Sequence, residues 1–368
     1  MNNTIKSIDV YLVGINAKQK LADSTRTVET IGLTVVDICT IEGIHGFGLT
    51  YYEVGGEATR EFILKSIAPR LIGRDPLEHE AIYSDIMPYI RGVGRKGLAF
   101  CSFSAVDTAL WDIKGKILGL PLYRLLGGRE NALPIYASGG WTSYSDRELV
   151  EEALAMVKAG YDKIKLKVGV DNGRNPNRDL KRIKEVREAV GPDIGIMIDA
   201  NNVWTSAVAS CFANRVKEYD ILFFEEPVFA DDIPGLAEFK RRTDIPLATG
   251  EHEYTKYGMR DLVLANAVDI VQMDVARCGG YTEMNKIIAI TQAWNLLFAP
   301  HGMEYMHMHL LSAANNNGLF LERLLIFEDV FNLVLLDPPL PENGILHITD
   351  KPGLGLELNM TQIKKHCA

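Results

Sequence analysis

The chain has 368 residues, 47% of them hydrophobic and 24% charged, with a formal net charge of −9. That length is long for one hydrophobic core and comfortable for two domains, and the acidic balance argues against a nucleic-acid partner, which selects for basic excess. No uninterrupted apolar run of about 18 residues occurs, so no membrane span is expected; the opening "MNNTIKSIDVYLVG" lacks a leader's apolar segment, and Cys39, Cys101, Cys211, Cys278 and Cys367 are scattered without a CxxC, so a reducing cytoplasm is expected, with neither disulfide framework nor zinc site.

In chain order, "SIDVYLVGI" and "ETIGLTVVDICTIEGIHGFGLTYY" read as strands with Gly-marked turns. "GEATREFILKSIAPRL" and "PLEHEAIYSDIMPYI" carry helical spacing. "KGLAFCSFSAVDTALWDIKGKILG" is a long, largely apolar helix, hence a buried one. These elements predict an α+β domain over residues 1–125, joined by the strand-like and Gly-rich text of about 340–368. From 126 to 339 the texture alternates. The short apolar runs "LPIYAS", "KIKLKV", "IGIMID", "ILFFE", "PLATG", "DIVQMD", "LLFAP" and "LFLE" are separated by helical patterns. That alternation predicts an α/β barrel. A doubly wound open sheet would more often show a Gly-rich phosphate loop after its first strand, and no GxGxxG follows one here.

In a barrel the chemistry sits at the C-terminal ends of the strands. The runs end in Lys165 and Lys167, Asp199, Glu225 with Glu226, Glu251, Asp274, His301 and Glu322. The intervals 225 − 199 = 26 and 251 − 225 = 26 place one carboxylate per strand–helix unit. Three carboxylates at one mouth repel one another unless a cation joins them. Oxygen ligands without Cys or His favour a hard divalent ion, and an open site favours Mg²⁺ over Ca²⁺.

Alternation puts Lys165 and Lys167 on one face of their strand. Mutual repulsion and burial are expected to lower their pKa values, so that one serves as a general base and the other stays charged to hold a substrate carboxylate. Lys163, at the strand's N-terminal end, reads as a snorkelling surface lysine. Asp274 orients His301 as a second acid/base from the opposite side. Glu322 is expected either as a fourth metal ligand or as a protonated acid donating to a substrate oxygen. His307 and His309 stand two apart in a helical segment and do not share a face.

Taken together, "SAVDTALWDIKGKILGLPLYRLLGG", "KLKVG", "MIDANNVW", "FFEEP", "TGEH", "MDVARCGG", "FAPHG" and "LER" resemble, in order and over nearly the whole chain, the enolase superfamily and its mandelate racemase-like subgroup. The resemblance implies a capping domain on a modified (β/α)₇β TIM barrel, a symmetric homo-oligomer, and a Mg²⁺ ion on Asp199, Glu225 and Glu251. It implies Lys167 as the base on one face of the substrate, assisted by Lys165, and His301 with Asp274 on the other. Glu322 matches the group that hydrogen-bonds an enolate, and Asn201 and Glu226 match supporting positions. A cycloisomerase-type relative is expected to carry a lysine where Asp274 stands.

Such a centre removes the proton α to a carboxylate. The expected reaction is dehydration of a sugar acid, aldonate or aldarate, to a 2-keto-3-deoxy acid. Racemisation or epimerisation of a hydroxy acid is the alternative, and a non-catalytic binding protein would have lost a base, which this chain has not. Lys18, Lys20 and Arg26 in "NAKQKLADSTRT" and Tyr51 and Tyr52 in "YYEVGGEA" are candidate substrate contacts from the first domain.

Overall fold

The computed structural model describes residues 3–52 and 54–367. Strands β1 (Ile5–Ala22), β2 (Thr27–Thr40) and β3 (His45–Tyr51) form an antiparallel sheet. The β1–β2 hairpin is long, and its tip is fixed by Asp23, whose Oδ1 accepts from the backbone N–H groups of Thr25 (2.7 Å) and Arg26 (2.9 Å). Helix Leu98–Leu118 lies across β3. Gly46 and Gly48 permit that approach, since a Cβ there would stand 2.4 Å and 1.9 Å from the carbonyl oxygens of Ala109 and Ala105. The single helix expected from "GEATREFILKSIAPRL" is instead a short α-helix, Gly56–Phe62, followed by a π turn and a 3₁₀ turn. Pro69 lies in that last turn and has no N–H to continue the ladder.

Eight strands then run in parallel, each followed by a helix: β4 (Ala132–Gly139), β5 (Lys163–Lys167), β6 (Gly195–Asp199), β7 (Ile221–Glu225), β8 (Leu247–Thr249), β9 (Ile270–Val271), β10 (Leu297–Phe298) and β11 (Leu321–Leu324). The sheet curls in sequence order with β11 beside β4, and Phe298 bridges Gly318 across the remaining seam. The alternation predicts a barrel, and the modified form of it is the one that the family resemblance implies. Ser145, Asn175, Asp232 and Thr255 cap the helices that leave the strand ends. A further strand, β12 (Ile345–His347), pairs antiparallel with β4.

The first sheet and its helices sit over the mouth of the barrel through specific bonds. The Thr50 hydroxyl donates to the carbonyl of Ala276 at 2.7 Å, and Ser24 donates to that of Ala200 at 2.6 Å. The buried Asp107 of helix Leu98–Leu118 accepts from the N–H (2.9 Å) and hydroxyl (2.6 Å) of Thr282. Tyr51 and the Asp23–Arg26 turn are thereby placed against the strand ends.

Candidate active site

The register aligns the strand ends. Lys167 pairs with Asp199, and Asp199 with Glu225, across β5, β6 and β7. Alternation turns Lys165, Lys167, Asp199 and Glu225 inward, and all four are buried. The chain breaks from the strand directly after Glu225, because Glu226 adopts a φ of +42°. Two adjacent glutamates therefore both serve the mouth, where an unbroken strand would send them to opposite faces. Glu226 accepts from Asn202 at 2.6 Å. Asn201 itself bonds Asp199 through its backbone N–H, at 2.8 Å.

Each lysine is tied to carboxylates. Lys165 Nζ lies 2.6 Å from Glu225 Oε2 and 2.6 Å from Glu322 Oε1, and Lys167 Nζ donates to Asp199 Oδ2 at 2.5 Å. Burial alone would lower both ammonium pKa values, but the facing carboxylates outweigh it and raise them, Lys165 strongly. This corrects the expectation of lowered lysine pKa values, which weighed the two like charges and not the anions against them. Glu322 differs from expectation in the same way. Despite burial, Lys165 pulls its carboxyl down to about 2, and it accepts from the N–H of Gly302 at 2.8 Å. It is an ionised acceptor in this arrangement, not a protonated donor.

On the opposite side His301 Nδ1 lies 3.0 Å from Asp274 Oδ2. The Tyr51 hydroxyl donates to the same oxygen at 2.7 Å and stands 3.3 Å from His301 Nδ1. His301 Nε2 faces Glu251 Oε2 at 3.3 Å. Arg277 reaches Glu251 Oε1 at 3.1 Å, with its guanidinium 4.7 Å above the Tyr51 ring. Burial raises the Glu251 pKa, but His301 and Arg277 more than reverse that, leaving it well below the carboxylate range. His307 accepts from the N–H of Val275 at 2.8 Å and pairs through Nδ1 with the carbonyl of Gly302 at 2.7 Å, holding the two loops that carry the His–Asp pair. His309 turns elsewhere, to the carbonyl of Leu354.

Lys167, Tyr51, Asn201, Glu251, His301 and Arg277 line one cavity of about 60 Å³, together with Trp141 and the Asp23–Arg26 turn. The expected loop contacts divide. Arg26 lines this cavity, 3.5 Å from Asp23. Lys18 is exposed and pairs with Asp329 at 2.6 Å, Lys20 is exposed, and Tyr52 donates outward to Glu57. The last three lie outside the cavity: Lys18 and Lys20 are carried on exposed positions of β1, and Tyr52, just past β3, points opposite to Tyr51.

Asp199, Glu225, Glu226, Glu251, Asp274 and Glu322 outweigh Lys165, Lys167 and Arg277 in charge. Glu225 Oε1, Glu226 Oε1, Asn201 Oδ1 and Gln272 Oε1 are buried acceptors that no group among the described residues satisfies. Acceptor oxygens with surplus negative charge fit a hard cation. The expected trio is not gathered on one point, however. Among the described residues, the set whose ligand atoms lie within 4.8 Å of one another is Glu226, Glu251 and His252. Lys167 and Lys165, the latter with Gln272, hold Asp199 and Glu225 in other directions.

Comparison with known proteins agrees with this geometry. Residues 7–127 match the mandelate racemase / muconate lactonizing enzyme N-terminal domain, and residues 148–362 match the enolase C-terminal domain-like family. The chain belongs to the mandelate racemase / muconate lactonizing enzyme family of the enolase superfamily. It is 32% identical to the arabinonate dehydratase of Saccharolobus solfataricus, over 95% of this chain and 96% of that one. It is also 32% identical to the D-galactarolactone cycloisomerase of Agrobacterium fabrum, over 88% of each. A crystal structure of a mutant L-talarate/galactarate dehydratase from Salmonella typhimurium, liganded with Mg and L-glucarate, superposes with a TM-score of 0.92 at 29% identity, covering 100% of this chain and 92% of that one. The relatives at this level of similarity thus include an isomerase as well as a lyase.

Proposed function

We propose that this family member is a Mg²⁺-dependent sugar-acid dehydratase. The observation that carries the reading is the placement of Lys167 and the Asp274-bonded His301 on one cavity, beside a carboxylate-rich wall. Relatives named as dehydratases, and a Mg-liganded neighbour, support it.

In this reading Asp199 and Glu225, released from the lysines that hold them here, would join Glu251 in holding the cation, which would supply Lewis-acid stabilisation of negative charge on the substrate carboxylate. Lys165 lies behind the reacting carboxylate as a fixed positive charge, anchored by Glu322. Fixed donors of this kind contribute about 2.7–4 kcal/mol each to transition-state stabilisation. Lys167, whose ammonium must first give up the proton that its bond to Asp199 holds, then takes the α proton, and the C–H electron pair passes into the enolate. His301, held through Nδ1 by Asp274, presents Nε2 to the opposite side of the cavity. In its protonated form it gives that proton to the β-hydroxyl as the C–O bond breaks, and water leaves. The enol then tautomerises to a 2-keto-3-deoxy acid.

The test is proton NMR in D₂O with Mg²⁺ and a panel of four- to six-carbon aldonates and aldarates. A 2-keto-3-deoxy product is the expected result. Deuterium at the α carbon with inversion and no water loss would replace the dehydratase by a racemase or epimerase that uses the same two groups.

A further inference from the structure

The inner cavity shares part of its wall with a second space. Ile31, Trp141 and Ile326 line it on one side and a second chamber, of about 330 Å³, on the other. The inner space, about 60 Å³, holds a few water molecules. A sugar acid that places its α and β carbons between Lys167 and His301 overfills it, so its distal carbons extend past Trp141 and Ile326. The second chamber has the size of an ordinary small-molecule site.

The chamber's chemistry restricts what that distal end can be. One wall is apolar, from Ile15, Leu21 and Leu325. The other is a chain of neutral donors ending on a carboxylate. Gln19 Nε2 donates to the Tyr144 hydroxyl at 3.2 Å, Tyr144 donates to Glu152 Oε1 at 3.0 Å, and Glu152 Oε2 accepts from the N–H of Gly140 at 2.6 Å. Among the described residues lining the chamber the one cation is Lys18, and Asp329, 2.6 Å away on the same rim, cancels it. Burial raises the Glu152 pKa, and no cation lining the chamber stands beside it. Arg26, on the inner cavity, stands beside Asp23.

We propose that this chamber receives the uncharged distal end of a monocarboxylic sugar acid, carbon skeleton against the apolar wall and hydroxyls toward Gln19 and Tyr144, so that the enzyme is selective for aldonates over aldarates. The inference rests on the dehydratase reading and adds the substrate class to it. A second carboxylate would enter a space whose one cation, Lys18, is already paired with Asp329, and would lose its hydration without gaining a partner charge.

Hexonates, their terminal-deoxy analogues and hexarates of matched configuration are assayed with Mg²⁺ for kcat/KM, and the same acids are titrated calorimetrically. The best hexonate is expected to exceed its matched hexarate by about tenfold or more in kcat/KM. Asp329→Asn, which leaves Lys18 without its anion, is expected to raise the ratio of hexarate to hexonate kcat/KM by up to about fivefold, the range of an exposed ion pair. A hexarate that equals or exceeds its hexonate in the wild-type enzyme overturns the proposal. If no acid of either class reacts, the dehydratase reading fails on its own account. Calorimetry then decides the chamber: tighter hexonate binding supports the proposal, and tighter hexarate binding or none at all overturns it.

Discussion

The barrel interior has two layers built from the same strands. The lower is apolar, with Tyr136, Met197, Phe223, Ala248, Ile270, Ala299 and Phe320. The upper, one inward position further along, is ionic: Met197 gives way to Asp199 on β6, and Phe223 to Glu225 on β7. Both layers are sealed from solvent, and Lys165 lies 5.6 Å from the ring of Tyr136 at the boundary. The lower layer stabilises the fold through buried apolar area. The upper layer holds buried charges whose mutual attraction barely offsets their desolvation. Equal burial thus serves opposite ends, rigidity below and a poised charge set above.

The largest effect that separates the layers is chemical. Lys167→Met and His301→Asn are each expected to lower dehydration by on the order of 10²–10⁴, with His301→Asn retaining α-proton exchange from the Lys167 side, read by deuterium incorporation. Full activity in both variants would break the two-base assignment. Next is the structural counterpart. Phe223→Ala is expected to destabilise the protein by about 3–5 kcal/mol in urea unfolding without altering the Mg²⁺ concentration needed for half-maximal activity. Glu225→Gln inverts that pattern. Without Mg²⁺ its stability should stay near that of the wild type, since burial and the neighbouring carboxylates already hold the Glu225 carboxyl well above the usual range and the amide keeps its size, whereas the rise in Tm on adding Mg²⁺ should be lost. A preserved Mg²⁺ response would remove Glu225 from the ligand set.

Smaller effects sharpen the link between the upper layer and the domain above it. Tyr51→Phe deletes the bond to Asp274. A hydrogen bond to a charged group contributes about 1.5–3 kcal/mol to stability, so the unfolding free energy should fall by about that amount, and kcat/KM should fall with it as Asp274 loses a fixed partner beside His301. The last prediction concerns pH. Burial raises the Asp107 carboxyl to about 7, against about 4 in an unfolded chain. The folded state therefore binds that proton more tightly. Its stabilising contribution is complete below about pH 4 and is lost as pH rises to about 7. Asp107→Asn should flatten that part of the stability profile relative to the wild type, read as urea midpoints at pH 5 and pH 8.

The ionic layer was legible in the sequence because a strand end needs only its period-two pattern and one polar residue per unit. The 26-residue interval fixed Asp199, Glu225 and Glu251 to neighbouring strands before any contact was known. Gln272 was within reach of the same reading, since it stands two positions before Asp274. Contacts made by approach from elsewhere were not legible. Arg277 lies in a loop, and nothing in its spacing points to Glu251 or to the Tyr51 ring. Tyr51 and Tyr52 are neighbours of equal composition, and only the docking of β3 on the barrel decides that one meets Asp274 and the other Glu57. The charge states of the lysines were misread for the same reason, because they depend on how near the carboxylates come.

The segment that follows the barrel fixes when the molecule can be complete. β12 pairs with β4, Gly353 bridges Pro121, and Cys367 bridges Val13. The N–H of Leu354 also donates to Asp112 of the long helix, at 2.8 Å. The first sheet and the first barrel strand thus share partners that leave the ribosome some 200 to 350 residues after them. During synthesis β1 and β4 must wait with open edges while seven strand–helix units are made, and such edges are where chains aggregate or recruit chaperones. The activity of this enzyme therefore appears as a late, all-at-once event in the life of each chain, set by the emergence of its last few turns.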